Sequence, residues 1–167
     1  MRDWLERWHS GDRKRLLKWG IPLLGFGLLL QVTNLGVNYS ASLPYTVFLT
    51  VKGWQAAKGD LVAINQHCTK YYPPGARFTK RIVGFAGDKV SNLQETIWIN
   101  GKLVGPLLKQ TAFGRPLTPL VAPEAATIIP EGYVFVMTEH ARSFDSRYQE
   151  FGLVPVAALQ GRALVLW

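Results

Sequence analysis

The sequence predicts a mainly β, antiparallel domain that is tethered by one N-terminal transmembrane helix. An apolar run follows a basic N-terminal segment, and the rest of the chain contains short runs rich in β-branched and aromatic residues. Beyond the apolar run, no long stretch shows clear helical periodicity. A chain of 167 residues is long enough to bury a core in one domain and to carry such an anchor as well.

Positive charge concentrates at the N-terminal end of the chain. The net charge is +8, and several cationic residues stand before or beside the apolar run: Arg2, Arg7, Arg13, Lys14, Arg15 and Lys18. Clustering of this kind beside a membrane segment is what the positive-inside rule predicts, so the basic balance requires no nucleic-acid partner. We predict that residues 1–15 form a cytoplasmic basic tail and that the chain binds no nucleic acid.

The apolar run Gly20–Val32 is predicted to belong to a membrane anchor. By itself it is short for a spanning helix, which needs about 20 mainly apolar residues. The segment 16–37 is long enough if the Lys18 side chain extends to the lipid headgroups. We therefore predict a single-pass transmembrane anchor over residues 16–37, with residues 38–167 on the side away from the cytoplasm.

A cleaved signal peptide would have the same outline, because Ser40-Ala41-Ser42 has the small-x-small form of a cleavage site. Cleavage after Ser42 is disfavoured because Pro44 lies just beyond it and restricts the extended conformation that a peptidase needs. Cleavage after Ala41 would place the bulky Tyr39 at the third position back. We therefore expect the anchor to stay attached.

The remaining chain is predicted to be mainly strands and turns. Asn100-Gly101 divides one β-rich run into a hairpin with a type I′ turn. Pro106–Pro130 is rich in proline and is predicted to be irregular. The β-rich runs are Tyr45–Val51, Asp60–Ile64, Phe78–Phe85, Thr96–Val104, Tyr133–Met137 and Ala163–Trp167.

Neither a metal site nor a cofactor is expected from the sequence. Cys68 is the only cysteine, so an intramolecular disulfide is impossible. The three histidines, His9, His67 and His140, have no metal-ligand spacing among themselves or with Cys68.

Three stretches contain side chains that are capable of chemistry: residues 39–44, 78–84 and 142–147. Each also has a plainer interpretation. The serines of the first stretch suit a turn that leaves the membrane, and the cations of the second suit the solvated face of a strand. Asp145 and Arg147 could form a surface ion pair worth less than about 1 kcal/mol.

Lys80 favours a catalytic interpretation because its neighbours, from Phe78 to Phe85, are mostly β-branched or apolar. Burial would lower the pKa of its ammonium group. A decrease of about three units would make the amine a competent general base near neutral pH. A serine beside it would then be an activated nucleophile without any histidine, which is the Ser-Lys variant of the catalytic triad.

The order of these stretches resembles the signal peptidase I superfamily, and within it the TraF-type peptidases of conjugative transfer systems. Residues 59–62, Gly-Asp-Leu-Val, resemble the family's Gly-Asp-(Ile/Val)-Val motif. Residues 80–88 resemble its Lys-Arg-(Ile/Val)-x-Gly-x-Pro-Gly-Asp motif, and residues 143–147 resemble its Ser-x-Asp-Ser-Arg motif, with Gly152 following. The resemblance extends from Asn38 to about Gly152 and implies a signal-peptidase-like β domain.

The resemblance implies a catalytic role for two residues and a supporting role for four. Ser42 would attack the scissile carbonyl, and Lys80 would take its proton and return it to the leaving amine. The Ser40 hydroxyl would assist the main-chain N–H of Ser42 in an oxyanion hole, a contribution typically worth about 3 kcal/mol. Ser143 would orient the Lys80 amine. The pair formed by Asp145 and Arg147 would hold that part of the chain in place, although the aspartate could act closer to the chemistry.

This sequence departs from the family pattern at three places. Ser42-Leu43-Pro44 has one residue fewer than the usual Ser-Met-x-Pro, which keeps Ser40 as a second candidate nucleophile. Ala86 replaces the proline of the lysine motif. Residues 138–141, Thr-Glu-His-Ala, replace the usual Gly-Asp-Asn-Arg, so the local structure there is open.

The function implied is that of a membrane-bound serine endopeptidase of a bacterial inner membrane, with its catalytic domain, residues 38–167, in the periplasm. The expected partners are a protein precursor, most simply a conjugative pilin, together with inner-membrane lipid and other proteins of the conjugation system. An acyl-enzyme could end in hydrolysis or in cyclisation of the product. The alternative is a non-catalytic membrane-tethered β scaffold of a conjugation or secretion complex. A self-cleaving repressor would need a helix-turn-helix region, for which the sequence gives no sign.

Overall fold

The computed structural model describes residues 18–38, 42–65, 71–73 and 75–167. The chain divides after Asn34, so that Leu35–Trp167 form a unit of their own. Ser40, Cys68 and His67, which the sequence analysis named, lie outside the described residues, as do residues 1–17.

Residues 18–32 are α-helical, and most of their side chains are exposed. The exposed apolar residues include Trp19, Ile21, Leu23, Leu24, Phe26, Leu28, Leu29 and Leu30. Within the part of the chain that is described, no helix is both long enough and apolar enough to cross a bilayer.

The helix gives way to a strand within the segment predicted as an anchor. Residues 33–37 are extended, although the prediction placed them in the anchor. The Thr33 hydroxyl donates a hydrogen bond to the Leu29 carbonyl at 2.7 Å, which satisfies one of the free carbonyl groups at the helix end. Thr33 and Val37 are β-branched and favour the extended conformation. The last five residues of the predicted anchor, 16–37, are therefore a strand, and the transmembrane anchor stays a prediction.

Eleven strands are present in the described residues. They are β1 (Thr33–Val37), β2 (Val47–Val51), β3 (Leu61–Asn65), β4 (Arg77–Phe85), β5 (Lys89–Leu93), β6 (Thr96–Ile99), β7 (Lys102–Pro106), β8 (Ala126–Ile128), β9 (Tyr133–Met137), β10 (Val154–Pro155) and β11 (Leu159–Val165). A 3₁₀ turn, Val156–Ala158, leads into β11.

The strands form two sheets. The larger has the order β1-β2-β11-β3-β4-β9-β10, and the smaller has the order β7-β6-β5-β8. The pairs β2–β11, β11–β3, β3–β4, β4–β9, β5–β6 and β6–β7 are all antiparallel. The prediction of a mainly antiparallel β domain is therefore confirmed.

The hairpin predicted at Asn100-Gly101 is confirmed, because it joins β6 to β7 with φ angles of 49° and 75°. Positive φ at both central residues is the requirement of a type I′ turn. Four strands were not predicted: β1, β5, β8 and β10. One of them, β8, lies inside Pro106–Pro130, which was expected to be irregular, and its three residues are all exposed.

Strand β9 lies between two hydrophobic cores, because its alternate side chains point in opposite directions. Val134 and Val136 belong to the core that also contains Val62 of β3 and Ile82 of β4. Phe135 and Met137 belong to the core beneath the smaller sheet. A strand with both faces buried reads as a continuous apolar run, which is the pattern of Tyr133–Met137.

Candidate active site

Lys80 is the buried cation of strand β4. Its side chain is on the same face as Ile82, which lies two residues further along β4 and is also buried. Lys80 pairs with Val62 of β3, and Lys80 is only 4% exposed. The Lys80 Nζ donates a hydrogen bond to Ser143 Oγ at 2.8 Å. A strand alternation that would normally bury an apolar side chain here buries an amine instead.

Burial lowers the pKa of Lys80 from 10.5 to about 8. Removal from water disfavours the ammonium form, while the negative charge of Asp145 acts in the opposite direction and the positive charge of Arg147 lowers the pKa further. With a pKa of about 8, about one Lys80 amine in ten is neutral at pH 7. An ordinary lysine would be neutral in only about one molecule in 3,000.

Asp145 and Arg147 form a bidentate ion pair in the interior. Arg147 Nε lies 2.8 Å from Asp145 Oδ1, and Arg147 Nη2 lies 3.0 Å from Asp145 Oδ2. The Arg147 side chain is 1% exposed and the Asp145 side chain is 0% exposed, so the interpretation of this pair as a surface ion pair is wrong. Burial opposes the charge of Arg147, but the hydrogen bonds and charge of Asp145 outweigh it and raise the pKa of Arg147.

Arg147 also fixes the segment that carries Ser143. Its Nη2 donates to the Ser143 carbonyl at 3.0 Å and its Nη1 donates to the Pro106 carbonyl at 2.8 Å. The Ser143 amide in turn donates to the His140 carbonyl at 2.9 Å. The Ser143 hydroxyl is therefore held toward Lys80 by a hydrogen-bonded loop and not by strand geometry.

Ser42 lies on the turn that precedes β2 and is half-buried. The next residue, Leu43, is buried in a cluster with Phe48, Leu61 and Ala163. Leu61 pairs with Arg81, the neighbour of Lys80, so this turn packs against the part of β3 that adjoins Lys80. Among the described residues, the Lys80 amine donates its hydrogen bond to Ser143. The catalytic pairing of Ser42 with Lys80 stays a prediction.

The structure thus brings Lys80, Ser143, Asp145 and Arg147 together, while Ser40 lies outside the described residues. The sequence analysis missed the ion pair between Arg81 and Glu139, in which Nε lies 2.8 Å from Oε1. Arg81 also donates to the Gly59 carbonyl at 2.7 Å. A signal was available, because the residue after Lys80 on a strand faces the opposite side of the sheet, where a cation can pair with a carboxylate such as that of Glu139, two residues beyond the end of β9.

Ser146 is a second supporting residue that the sequence analysis did not single out. Its amide donates to the Val136 carbonyl at 3.0 Å, and its hydroxyl accepts from the Val136 amide at 3.1 Å. Both backbone groups of one β9 residue are thereby satisfied by a single serine. This contact joins the Ser143–Arg147 segment to the strand that lies beside Lys80.

Comparison with known proteins gives one family. The family described as "Signal peptidase, peptidase S26" matches residues 23–167. Signal peptidase I of Bacillus licheniformis is 35% identical over 97 residues, which cover 54% of this chain and 48% of that protein. The match therefore spans about half the length of this curated relative. A crystal structure of a signal peptidase I from Enterococcus faecalis is 26% identical, with a TM-score of 0.43 over 68% of this chain and 98% of the other.

Proposed function

Because the chain belongs to the signal peptidase family, we propose that it is a serine endopeptidase in which Ser42 is the nucleophile and Lys80 is the general base. The observation that carries this proposal is the Lys80 amine, which is buried, hydrogen-bonded to Ser143 at 2.8 Å and lowered in pKa to about 8. A buried lysine that served only the fold would be costly, since an apolar side chain of similar length would fill the same space without desolvating a charge.

The chemistry assigned to the site uses two serine hydroxyls, one main-chain amide, the Lys80 amine and one water. The neutral Lys80 amine accepts the Ser42 hydroxyl proton as the Ser42 oxygen attacks the scissile carbonyl. The ammonium then donates that proton to the departing amine, and an acyl-enzyme remains on Ser42. The Ser42 amide and the Ser40 hydroxyl stabilise the oxyanion in both halves of the reaction. Water, activated by the same amine, completes hydrolysis.

The proposed substrate is a secreted protein precursor, and within that class a conjugative pilin. The proposed location is a bacterial inner membrane, with the anchor spanning it and residues 38–167 in the periplasm. The exposed apolar side chains of residues 18–32 support contact with lipid, since a surface of this kind is unfavourable in water. The order of the three motifs, which is similar to that of the TraF-type peptidases, supports the pilin and contacts with other conjugation proteins.

Cyclisation of the product is a second outcome of the same acyl-enzyme. The ester on Ser42 partitions between water and any amine nearby, so a pilin N-terminus held close to it would compete with water through its high effective concentration. The masses distinguish the outcomes, because the cyclic product is lighter by one water than the linear processed chain.

The test is maturation of precursor pilin by the full-length protein in membranes, followed by mass spectrometry. We expect Ser42→Ala and Lys80→Met to abolish processing, because each removes one half of the dyad, whereas the control Lys102→Met alters an exposed lysine of β7 and should process normally. Ser40→Ala should lower the rate by about 100-fold if Ser40 only supports the oxyanion.

Other outcomes would contradict parts of the proposal. Complete loss in Ser40→Ala with activity retained in Ser42→Ala would move the nucleophile to Ser40. Normal maturation in both Ser42→Ala and Lys80→Met would contradict peptidase activity and favour a scaffold role in a conjugation complex.

A further inference from the structure

Thr138 occupies the ladder position opposite Lys80. The pair Arg81 and Met137 is the last in register between β4 and β9, so one step further places Lys80 opposite Thr138. Residues that are directly opposite on an antiparallel pair share a face and have Cβ atoms about 5 Å apart. Thr138 also follows Val136 by two positions, and Val136 faces the same core as Ile82. The ladder position opposite Lys80 and the two-residue spacing from Val136 both put the Thr138 side chain on the face that carries Lys80.

The Thr138 hydroxyl is buried, and none of the described residues forms a hydrogen bond with it. The residue is 1% exposed, and among the residues that the structure describes its Oγ1 has no hydrogen-bond partner. A hydroxyl removed from water with no partner destabilises a protein, and such groups are rare in native structures. Valine has the same shape and would avoid this cost. A hydroxyl that is retained here therefore points to a partner in the working form of the site.

The valence of a neutral amine identifies that partner. The Lys80 nitrogen, when it acts as a base, has two N–H bonds and one lone pair. Its N–H bond to Ser143 Oγ leaves the second N–H and the lone pair free to exchange positions by rotation about the Cε–Nζ bond. A second acceptor oxygen on the other N–H would stop this rotation and leave the lone pair directed at the nucleophile.

We propose that Thr138 is a second positioning residue for Lys80, whose Oγ1 accepts the N–H that Ser143 does not, directly or through one water. Threonine has few χ1 rotamers, so a single rotation brings its oxygen toward or away from the amine. Thr138 is not a catalytic residue, because it acts on the substrate only through Lys80. This inference rests on the proposed function of Lys80 as a base. The family pattern usually has glycine at this position, so this hydroxyl is a feature of this chain.

The test compares Thr138→Val, which keeps the shape and removes the hydroxyl, with Thr138→Ser, which keeps the hydroxyl and removes a methyl group. Cleavage kinetics are measured on the full-length protein with a precursor peptide. Lys80 is titrated by NMR with ε-labelled lysine, and its signal is assigned by its loss in Lys80→Met. The charges of Asp145 and Arg147, which also act on Lys80, are the same in both variants.

Above the Lys80 pKa, where the amine is neutral in both proteins, we expect Thr138→Val to lower kcat about tenfold with KM unchanged, since the orientation of a reacting group affects the chemical step. Its Lys80 pKa should fall by about half a unit to one unit, because the lost acceptor stabilised the ammonium form. Its melting temperature checks that the fold is intact, since valine keeps the shape of threonine. Thr138→Ser should keep kcat and the Lys80 pKa near those of the unaltered protein.

A purely structural role for Thr138 gives the reverse order. Thr138→Ser would then be the damaged variant, and Thr138→Val would cleave and titrate like the unaltered protein. That result overturns the inference. If the unaltered protein cleaves no precursor, the proposed function fails, but the Lys80 titration still decides whether the two side chains interact. An unchanged Lys80 pKa in Thr138→Val would then count against the contact.

Discussion

Replacement of Lys80 by methionine is expected to stabilise the fold at neutral pH while it removes activity. Methionine has nearly the length of lysine, fills the same buried space and has no charge to desolvate. The lowered pKa of Lys80 shows that the folded environment disfavours the ammonium form relative to the unfolded chain. The fold therefore loses stability wherever Lys80 is protonated, and Lys80→Met removes that loss.

The magnitude follows from the difference between the folded and unfolded pKa values. A decrease from 10.5 to about 8 corresponds to about 3 kcal/mol, at about 1.4 kcal/mol for each unit. Below pH 8 the lysine is protonated in both states and the full cost is present. Between pH 8 and 10.5 the folded state releases its proton first, so the stability of the unaltered protein rises with pH. Above 10.5 both states are neutral and the cost is gone.

The assay is equilibrium unfolding of the full-length protein in detergent at pH 7 and at several values up to 10.5. The stability advantage of Lys80→Met over the unaltered protein should shrink by about 3 kcal/mol across this range. Groups common to both proteins, such as Tyr148, cancel in this difference. Lys102→Met, at an exposed position of β7, should stay within about 0.5 kcal/mol of the unaltered protein at every pH. A constant difference between Lys80→Met and the unaltered protein would refute the assignment of a desolvated lysine.

Two further predictions concern the same cluster. The rate of precursor cleavage, kcat/KM, should rise about tenfold per pH unit up to about pH 8 and then level off, because only the neutral Lys80 amine accepts the Ser42 proton. A stopped assay with a precursor peptide checks this, and a midpoint near 6 would exclude Lys80 as the titrating base. Asp145→Asn should destabilise the fold by about 3–5 kcal/mol, because it leaves the Arg147 charge buried and unpaired. Denaturant unfolding checks this against Glu95→Gln, whose exposed pair with Lys109 at 3.8 Å should contribute under about 1 kcal/mol.

Local sequence patterns predicted those strands whose chemistry is local. The Asn100-Gly101 turn fixes its hairpin, because few other dipeptides adopt two positive φ angles. Tyr133–Met137 was predicted with the bounds that the structure gives to β9, since both of its faces are apolar. In contrast, β5 has the sequence KVSNL, in which only Val90 and Leu93 are apolar. It is a strand because it pairs with β6 on one side and β8 on the other. Its pairing comes from tertiary context, which no short window contains.

Some features of the site could likewise be predicted from the local sequence, and others depend on the fold. The burial of Lys80 could be predicted, because its neighbours on β4 alternate in an apolar pattern. The depth of the Asp145–Arg147 pair could not be predicted, since charged residues two positions apart usually lie on the surface. The role of Thr138 depends on the register between β4 and β9, which only the fold supplies. The family motif could not point to Thr138 either, because it usually has glycine at that position.

The buried ion pair of Asp145 and Arg147 acts on the pKa of Lys80 in two opposite directions. Asp145 alone would raise that pKa and keep the amine protonated, whereas Arg147 alone would lower it. Desolvation is the dominant influence on this pKa, and the charges of Asp145 and Arg147 act on it in opposite directions. The same guanidinium holds the Ser143 carbonyl at 3.0 Å and thereby positions the hydroxyl that receives the Lys80 hydrogen bond. Arg147 thus acts on the Lys80 amine in two ways: its charge opposes the effect of Asp145 on the Lys80 pKa, and its hydrogen bond fixes the loop that carries Ser143. A change at Arg147 would affect both the pKa and the orientation of Lys80.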